Sequence, residues 1–336
     1  MKKLIIFLLV IGLGLTGYLL YMNHRLNRLE AMSFEDMVHY TMGDDPDAAI
    51  AVGIVQNGEV RYLMFGEQEF FEIGSLTKTF TAKMIFDLAE AGRIDLDSSI
   101  DHYLELPDGY YPTVRELINH VSGYKSWYFE SEMMGNFFDQ RNDYFGISHE
   151  KLLARIGNID LDDASYGFKY SNFGYAVLGA ILSEFYQEDF ATLMERFIAE
   201  ELGMRQTSML NPLSNGWEWS VGDAYRAAGA LTSTITDMTA YAKMLLPTMN
   251  RENDLLINAT TARNAMLNIR ADGVLDGWMV DRENEIIWHN GGTGQYNSYL
   301  GFDLQNDAAV VVLSNLPPDY RIPATVMGAQ LLLELR

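Results

Sequence analysis

Three short stretches carry residue types able to do acyl-transfer chemistry. The first is Gly74-Ser75-Leu76-Thr77-Lys78, at the head of an apolar run. Ser75 and Lys78 are three apart, so on a helix both project from one side of the first turn. Backbone N–H groups there lack intrahelical partners and favour negative charge. A nucleophilic serine needs a nearby base and a donor for the developing oxyanion. Lys78 is the candidate base, and the Ser75 N–H a candidate donor. The Ser-x-x-Lys pattern is cheap, recurring at Ser122/Lys125 and Ser148/Lys151. Ser122 lies in a Ser-Gly-Tyr-Lys turn, and Ser148 reads as a helix cap.

The second stretch is Lys169-Tyr170-Ser171-Asn172. A tyrosine hydroxyl near a lysine ammonium is shifted toward phenolate and can pass protons. The Asn172 amide can hold a substrate carbonyl or fix the lysine. Tyr-x-Asn also occurs by accident at Tyr21-Met22-Asn23. The third stretch is His289-Asn290-Gly291-Gly292-Thr293-Gly294. Its glycines let backbone approach another group closely, and a strand-edge N–H there is a candidate second oxyanion donor.

These residues need elements to hold them. Leu76, Phe80, Met84, Ile85 and Leu88 recur at helical spacing, so a helix begins near Ser75 and stops at Gly92. Ala48–Val55 is a continuous apolar run, followed by Asn57-Gly58 and an alternating run over 59–65, which together predict a β-hairpin. Short helices are predicted over 33–42 and 113–120, and longer ones over 172–187, 189–202, 237–246 and 323–333. The C-terminal part reads as strands near 277–280, 285–288, 296–302 and 308–313. Residues 127–147 mix Trp127, Tyr128, Phe129, Met133, Met134, Phe137, Phe138, Tyr144 and Phe145 with carboxylates, and read as a long aromatic loop, either a lid or substrate wall or a satellite core.

Strands at both ends with helices between them predict an α/β (α+β) fold: an antiparallel sheet built from both chain ends, flanked by helices, with a mostly helical insertion. The sheet part is expected over about 31–105 and 225–336, and the helical part over about 106–224.

Net charge is −22. Such an acidic surface disfavours nucleic acid and anionic lipid headgroups. There is no cysteine, which excludes disulfides and thiolate chemistry. His24, His39, His102, His120, His149 and His289 show no His-x-x-x-His spacing, so neither a metal nor another cofactor is expected. Met1 to Glu30 stands apart: Lys2 and Lys3 precede an uncharged run from Leu4 to Met22, roughly 28 Å long as a helix. It reads as an uncleaved membrane anchor with an exported catalytic domain, or else as a signal peptide. Oligomeric state is left open.

Taken in order, Gly74-Ser75-x-x-Lys78, Tyr170-x-Asn172 and His289-x-Gly291 resemble the serine β-lactamase and penicillin-binding-protein superfamily, most of all its class C-like esterase and peptidase branch. Leu117–Gly123, Tyr175–Gly179, Gly203-Met204 and Ala228–Thr234 resemble further stretches of that branch, so the likeness covers about residues 33–335. It implies Ser75 as the acylated nucleophile, with Lys78 and Tyr170 sharing base and acid work. It also implies Asn172 orienting substrate or Lys78, and an oxyanion hole from the N–H groups of Ser75 and Gly292. Many penicillin-recognising members have Lys-Thr-Gly where this chain has His289-Asn290-Gly291. A histidine is mostly neutral at pH 7, which favours esters or amides without a fixed anion. The alternatives are a β-lactamase or D-alanyl peptidase, and a catalytically idle binding protein of the same fold.

Overall fold

The computed structural model describes residues 31–249, 257–258 and 271–336. The Leu4–Met22 run lies outside them. Among the described residues no helix is long and apolar enough to cross a membrane.

Helix α1 (Phe34–Met42) leads into β1 (Ile50–Gln56), β2 (Glu59–Phe65) and the short β3 (Phe71–Glu72). A 3-10 turn, Gly74–Leu76, opens onto α2 (Thr77–Glu90). The helical insertion holds α3 (Val114–Ile118), α4 (Ser131–Asp139), α5 (His149–Ile156), α6 (Asn172–Tyr186) and α7 (Phe190–Arg196). Then come α8 (Arg226–Gly229), β4 (Thr232–Ser233) and α9 (Ile235–Leu245). Strands β5 (Ile257–Asn258), β6 (Gly273–Leu275), β7 (Trp278–Asp281), β8 (Ile286–Gly292), β9 (Asn297–Asp303) and β10 (Ala308–Ser314) follow, and α10 (Ala324–Glu334) closes the chain.

Eight strands form one sheet in the order β2-β1-β10-β9-β8-β7-β6-β5, and β3 pairs with β4 separately. The pairings are antiparallel. The β1–β10 pair joins the two ends of the chain, as the sequence predicts, because both strands are covered on both faces. Ile50, Val52 and Ile54 face one core with α1 and α10, while Ala49, Ala51 and Val55 face the other with α2, α6 and α9. A strand buried on both sides reads as an unbroken apolar run rather than an alternating one. The Asn57-Gly58 turn takes positive φ at both residues, the geometry that matches strand twist in a tight hairpin.

Two details differ from the sequence reading. The α-helix starts at Thr77, and Ser75 sits in the preceding 3-10 turn, which Gly74 enters at φ 50°. The aromatic stretch is not a loop throughout: α4 lies inside it. Met133 and Asn136 are its buried residues, and Gln140 ends it in the left-handed region. Its outward residues are apolar too, which hides the two-sided pattern that marks a surface helix.

Candidate active site

Ser75 is half-buried on the turn between β3 and α2, and its neighbours Gly74 and Leu76 are buried. Lys78, one helical turn on, is fully buried. Its Nζ lies 3.0 Å from Ser75 Oγ and donates to the Ala228 carbonyl at 2.6 Å. Thr81, on the same helix, donates to the neighbouring Ala227 carbonyl at 2.8 Å. Helix α8 therefore receives donors from α2 and sets the lysine's reach. Burial pushes the Lys78 amine well below its ordinary 10.5. With no carboxylate facing it among the described residues, desolvation disfavours the ammonium, and the free amine can take a proton.

Tyr170 places its hydroxyl beside Ser75. Its ring centroid is 5.0 Å from Lys78 Nζ, and that of Tyr175 is 5.6 Å away. Part of the Tyr170 surface stays exposed, but the crowded surroundings of its hydroxyl raise the phenol above its ordinary value. This corrects the expected shift toward phenolate: that expectation needed a lysine ammonium beside the phenol, whereas burial raises the phenol and disfavours the charged form of Lys78. The hydrogen bond to Ser75 lowers the phenol's value, but by less than burial raises it.

Asn172 is the first residue of α6, and its Nδ2 donates to the Tyr144 hydroxyl at 2.9 Å. The described contact of its amide is thus to an aromatic wall residue rather than to Lys78. Tyr144 in turn stacks on Tyr225, with ring centroids 4.3 Å apart.

His289 is buried within β8, not exposed for substrate. Its Nδ1 lies 2.7 Å from the Asn290 carbonyl, and its ring centroid is 6.2 Å from that of Tyr170. Burial, with Lys78 nearby, lowers its imidazolium to about 3, so it is neutral at pH 7. Gly291 and Gly292 bring β8 against the serine turn. A Cβ on Gly291 would sit 1.9 Å from the Ile73 carbonyl oxygen, and one on Gly74 would sit 2.6 Å from the Gly292 nitrogen. Glycine is required on both sides of this contact. The same Ile73 carbonyl accepts from Ser298 Oγ on β9 at 2.7 Å. The other two Ser-x-x-Lys pairs do different things: Ser148 caps α5, and Ser122 accepts the Tyr124 N–H at 3.4 Å.

Two residues that sequence reasoning did not single out support the constellation. His120 is buried at positive φ, its Nδ1 accepts the Ser171 N–H at 3.1 Å, and its ring lies 4.4 Å from that of Tyr170. Burial and the nearby Lys78 keep it neutral. Its position in Asn119-His120-Val121-Ser122-Gly123 was the available signal. Glu72 is the second. Its carboxylate accepts from Asn211 Nδ2 at 2.6 Å, from the Trp217 N–H and from Thr293 Oγ1. It ties β3, the 211–217 loop and the turn after β8 together. Desolvation raises its carboxyl while these donors oppose the rise. Among the described residues no cluster of histidines and carboxylates could hold a metal ion.

Known proteins resemble the chain in sequence and in fold. Protein flp of Staphylococcus aureus (strain N315) is 22% identical over 279 residues, covering 74% of this chain and 53% of its own. The chain thus spans about half the length of that curated relative. A β-lactamase/D-alanine carboxypeptidase from Yersinia pestis has the same fold, with TM-score 0.70 and 19% identity over 90% of this chain and 97% of that one. So does a class C β-lactamase from Rhodobacter sphaeroides, with TM-score 0.69 and 18% identity over 90% and 99%. The family described as Beta-lactamase matches residues 38–330. The chain therefore belongs to the Beta-lactamase family, within the serine β-lactamase and penicillin-binding-protein superfamily.

Proposed function

We propose that this protein is a serine hydrolase that cleaves an ester or amide through an acyl-enzyme on Ser75. The observation that carries the reading is the 3.0 Å contact between Ser75 Oγ and a lysine amine whose burial favours the uncharged form. In the first half-reaction, Ser75 Oγ bonds to the substrate carbonyl carbon and its proton passes to Lys78. The Tyr170 phenol, in contact with Ser75, donates its proton to the leaving oxygen or nitrogen and recovers one from Lys78. The bond to the leaving group breaks. In the second half-reaction water attacks the acyl carbon, loses a proton to the same pair, and Ser75 regains its hydroxyl. The Ser75 and Gly292 N–H groups are the proposed donors to the oxyanion.

Neutral His289 provides no cation for a substrate carboxylate, which supports neutral esters or amides over peptide C-termini and β-lactams. We also propose that residues 1–30 tether the enzyme to a membrane and that catalysis takes place outside the cell. Fractionation of the full chain, with the mature N-terminus sequenced, tests that placement.

The decisive experiment is labelling with a fluorophosphonate followed by peptide mass spectrometry. An adduct on Ser75, absent from Ser75→Ala and retained in Ser122→Ala, supports the reading. An unlabelled Ser75 would identify an idle protein of the same fold. Turnover of nitrocefin but not of p-nitrophenyl butyrate would replace the esterase reading with a β-lactamase one.

A further inference from the structure

We propose that the outer side of helix α4 is the subsite for the hydrocarbon chain of the substrate's acyl group, so that the preferred substrates are esters or amides of medium- to long-chain acids. The inference rests on the hydrolase reading above and names the substrate class for that site.

Trp127, Phe129, Met134, Phe137, Phe138 and Tyr144 line a cavity of about 370 Å³. That size lies within the range of small-molecule sites. Its most exposed side chains are Phe137, 74% open to solvent, and Phe138, 76%. Adjacent exposed phenylalanines, with Trp127 and Met134 beside them, make a patch rather than scattered apolar residues.

The patch is not a by-product of folding α4. The helix is held from its inner side by the buried Asn136 amide, which donates to the Asp143 and Phe145 carbonyls at 3.2 and 2.8 Å. Its N-terminal end is fixed by Glu130 to Arg155 at 2.7 Å and by Glu132 to Lys151. These contacts would hold with polar residues at 134, 137 and 138. The aromatic face is thus displayed on a fixed platform, which lowers the ordering cost of binding.

Continuity with Ser75 identifies the occupant. Tyr144 forms part of the cavity wall, and its hydroxyl accepts from Asn172, two residues from Tyr170. On this proposal an acyl group bonded to Ser75 runs past Asn172 and Tyr144 onto α4. The chemistry of the lining fits a hydrocarbon: aromatic rings and methionines, with Asp143 as the only charged residue among the described ones. It offers no cation for an anionic ligand. Glu130, Glu132, Asp139 and Asp143 lie on or beside α4, so an anionic membrane surface is a poor fit.

The test compares wild type with Phe137→Ser/Phe138→Ser on p-nitrophenyl esters from acetate to decanoate, together with calorimetric titration of decan-1-ol. Wild-type kcat/KM should climb along the series, by up to about fourfold per added methylene if each is fully buried. In the variant the decanoate-to-acetate ratio of kcat/KM should fall at least tenfold, and the decan-1-ol Kd should rise by a similar factor. A flat series in wild type, or a variant that loses acetate and decanoate in parallel, overturns the proposal. So does an unchanged ratio with weaker sedimentation on phosphatidylcholine vesicles, which would make the patch a membrane contact. Should Ser75→Ala keep acetate turnover, the nucleophile assignment fails, and decan-1-ol binding still decides whether α4 forms an apolar subsite.

Discussion

Strand β8 packs directly against the serine turn, whereas helix α4 stands beyond Tyr144, which lines the α4 cavity and accepts from Asn172. On the β8 side the contacts are backbone against backbone: Gly291 against Ile73 and Gly292 against Gly74. The titratable groups there, Lys78, His120 and His289, are buried and biased toward their neutral forms. On the α4 side, side chains do the contacting, and Phe137 and Phe138 stand in solvent. One wall is fixed and dry, and its burial sets the protonation state of the reacting groups. The other is preformed and open to solvent. The contrast separates chemistry from selection: changes near β8 should alter kcat or stability, and changes near α4 should alter which substrate is used.

The largest effect is expected inside the dry wall. Lys78→Ala and Tyr170→Phe should each lower kcat/KM for a simple ester by about 10²- to 10⁴-fold, the usual worth of a general acid–base group. The double variant should be hardly worse than either single one, because the two move the same proton. Since Lys78 must be unprotonated to act, wild-type kcat/KM should fall as pH drops through its pKa, well below 10.5. Additive losses in the double-mutant cycle would show that the two residues act separately.

Much of this wall was legible in the chain. Ser75 and Lys78 are tied by helical spacing, and the glycines of β8 announce close approach. The acceptor for Lys78 was not legible, because the Ala228 carbonyl belongs to no special residue type and is 150 positions away. The protonation state of Tyr170 was misread for a related reason. Residue types place a lysine beside a phenol, but only the fold decides whether that lysine keeps its charge. His120 and Glu72 carry signals too weak to separate from ordinary core polar residues. On the other wall, α4 went unseen because apolar Met134, Phe137 and Phe138 on its outward face and polar Asn136 on its inner face blur the helical period.

A second prediction concerns acid stability. His289 has an ordinary value of 6.5 and a folded value of about 3. The unfolded chain therefore binds a proton that the folded one refuses. The stability this group contributes is complete above about pH 6.5 and is lost as pH falls toward 3. Between pH 7 and pH 4 the loss should be about 3 kcal/mol. His289→Gln cannot titrate, so its urea-unfolding free energy should fall less over the same interval. Parallel pH dependence in the two proteins would mean that His289 is not the dry imidazole described.

Glycine substitutions probe the two walls side by side. Gly291→Ala forces a Cβ against the Ile73 carbonyl and should cost about 1–3 kcal/mol while shifting the serine turn, so melting temperature and activity fall together. Gly135, within α4, has nothing within 4 Å of an added Cβ. Gly135→Ala should instead stabilise, by up to about 1 kcal/mol, through helix propensity. Equal and opposite assignments of rigidity would be refuted by any gain in melting temperature for Gly291→Ala.

The smallest effect is expected where the two walls meet, at Tyr144. Tyr144→Phe removes the hydroxyl that accepts from Asn172 at 2.9 Å and keeps the ring stacked on Tyr225. The net worth of one such hydrogen bond is about 1 kcal/mol, or roughly fivefold in an equilibrium constant. Because the ring remains, the chain-length dependence of ester turnover should persist. Because neither Lys78 nor Tyr170 is touched, kcat should stay near wild type. The change should fall on KM, within about fivefold, since a released Asn172 amide must find its orientation again when substrate arrives. Steady-state kinetics on butyrate and decanoate esters supply both numbers. A kcat loss as deep as that of Tyr170→Phe would place Tyr144 in the proton path and erase the line drawn between the two walls. A loss of chain-length preference would instead show that the Asn172–Tyr144 contact, and not the ring surface of α4, selects the acyl group.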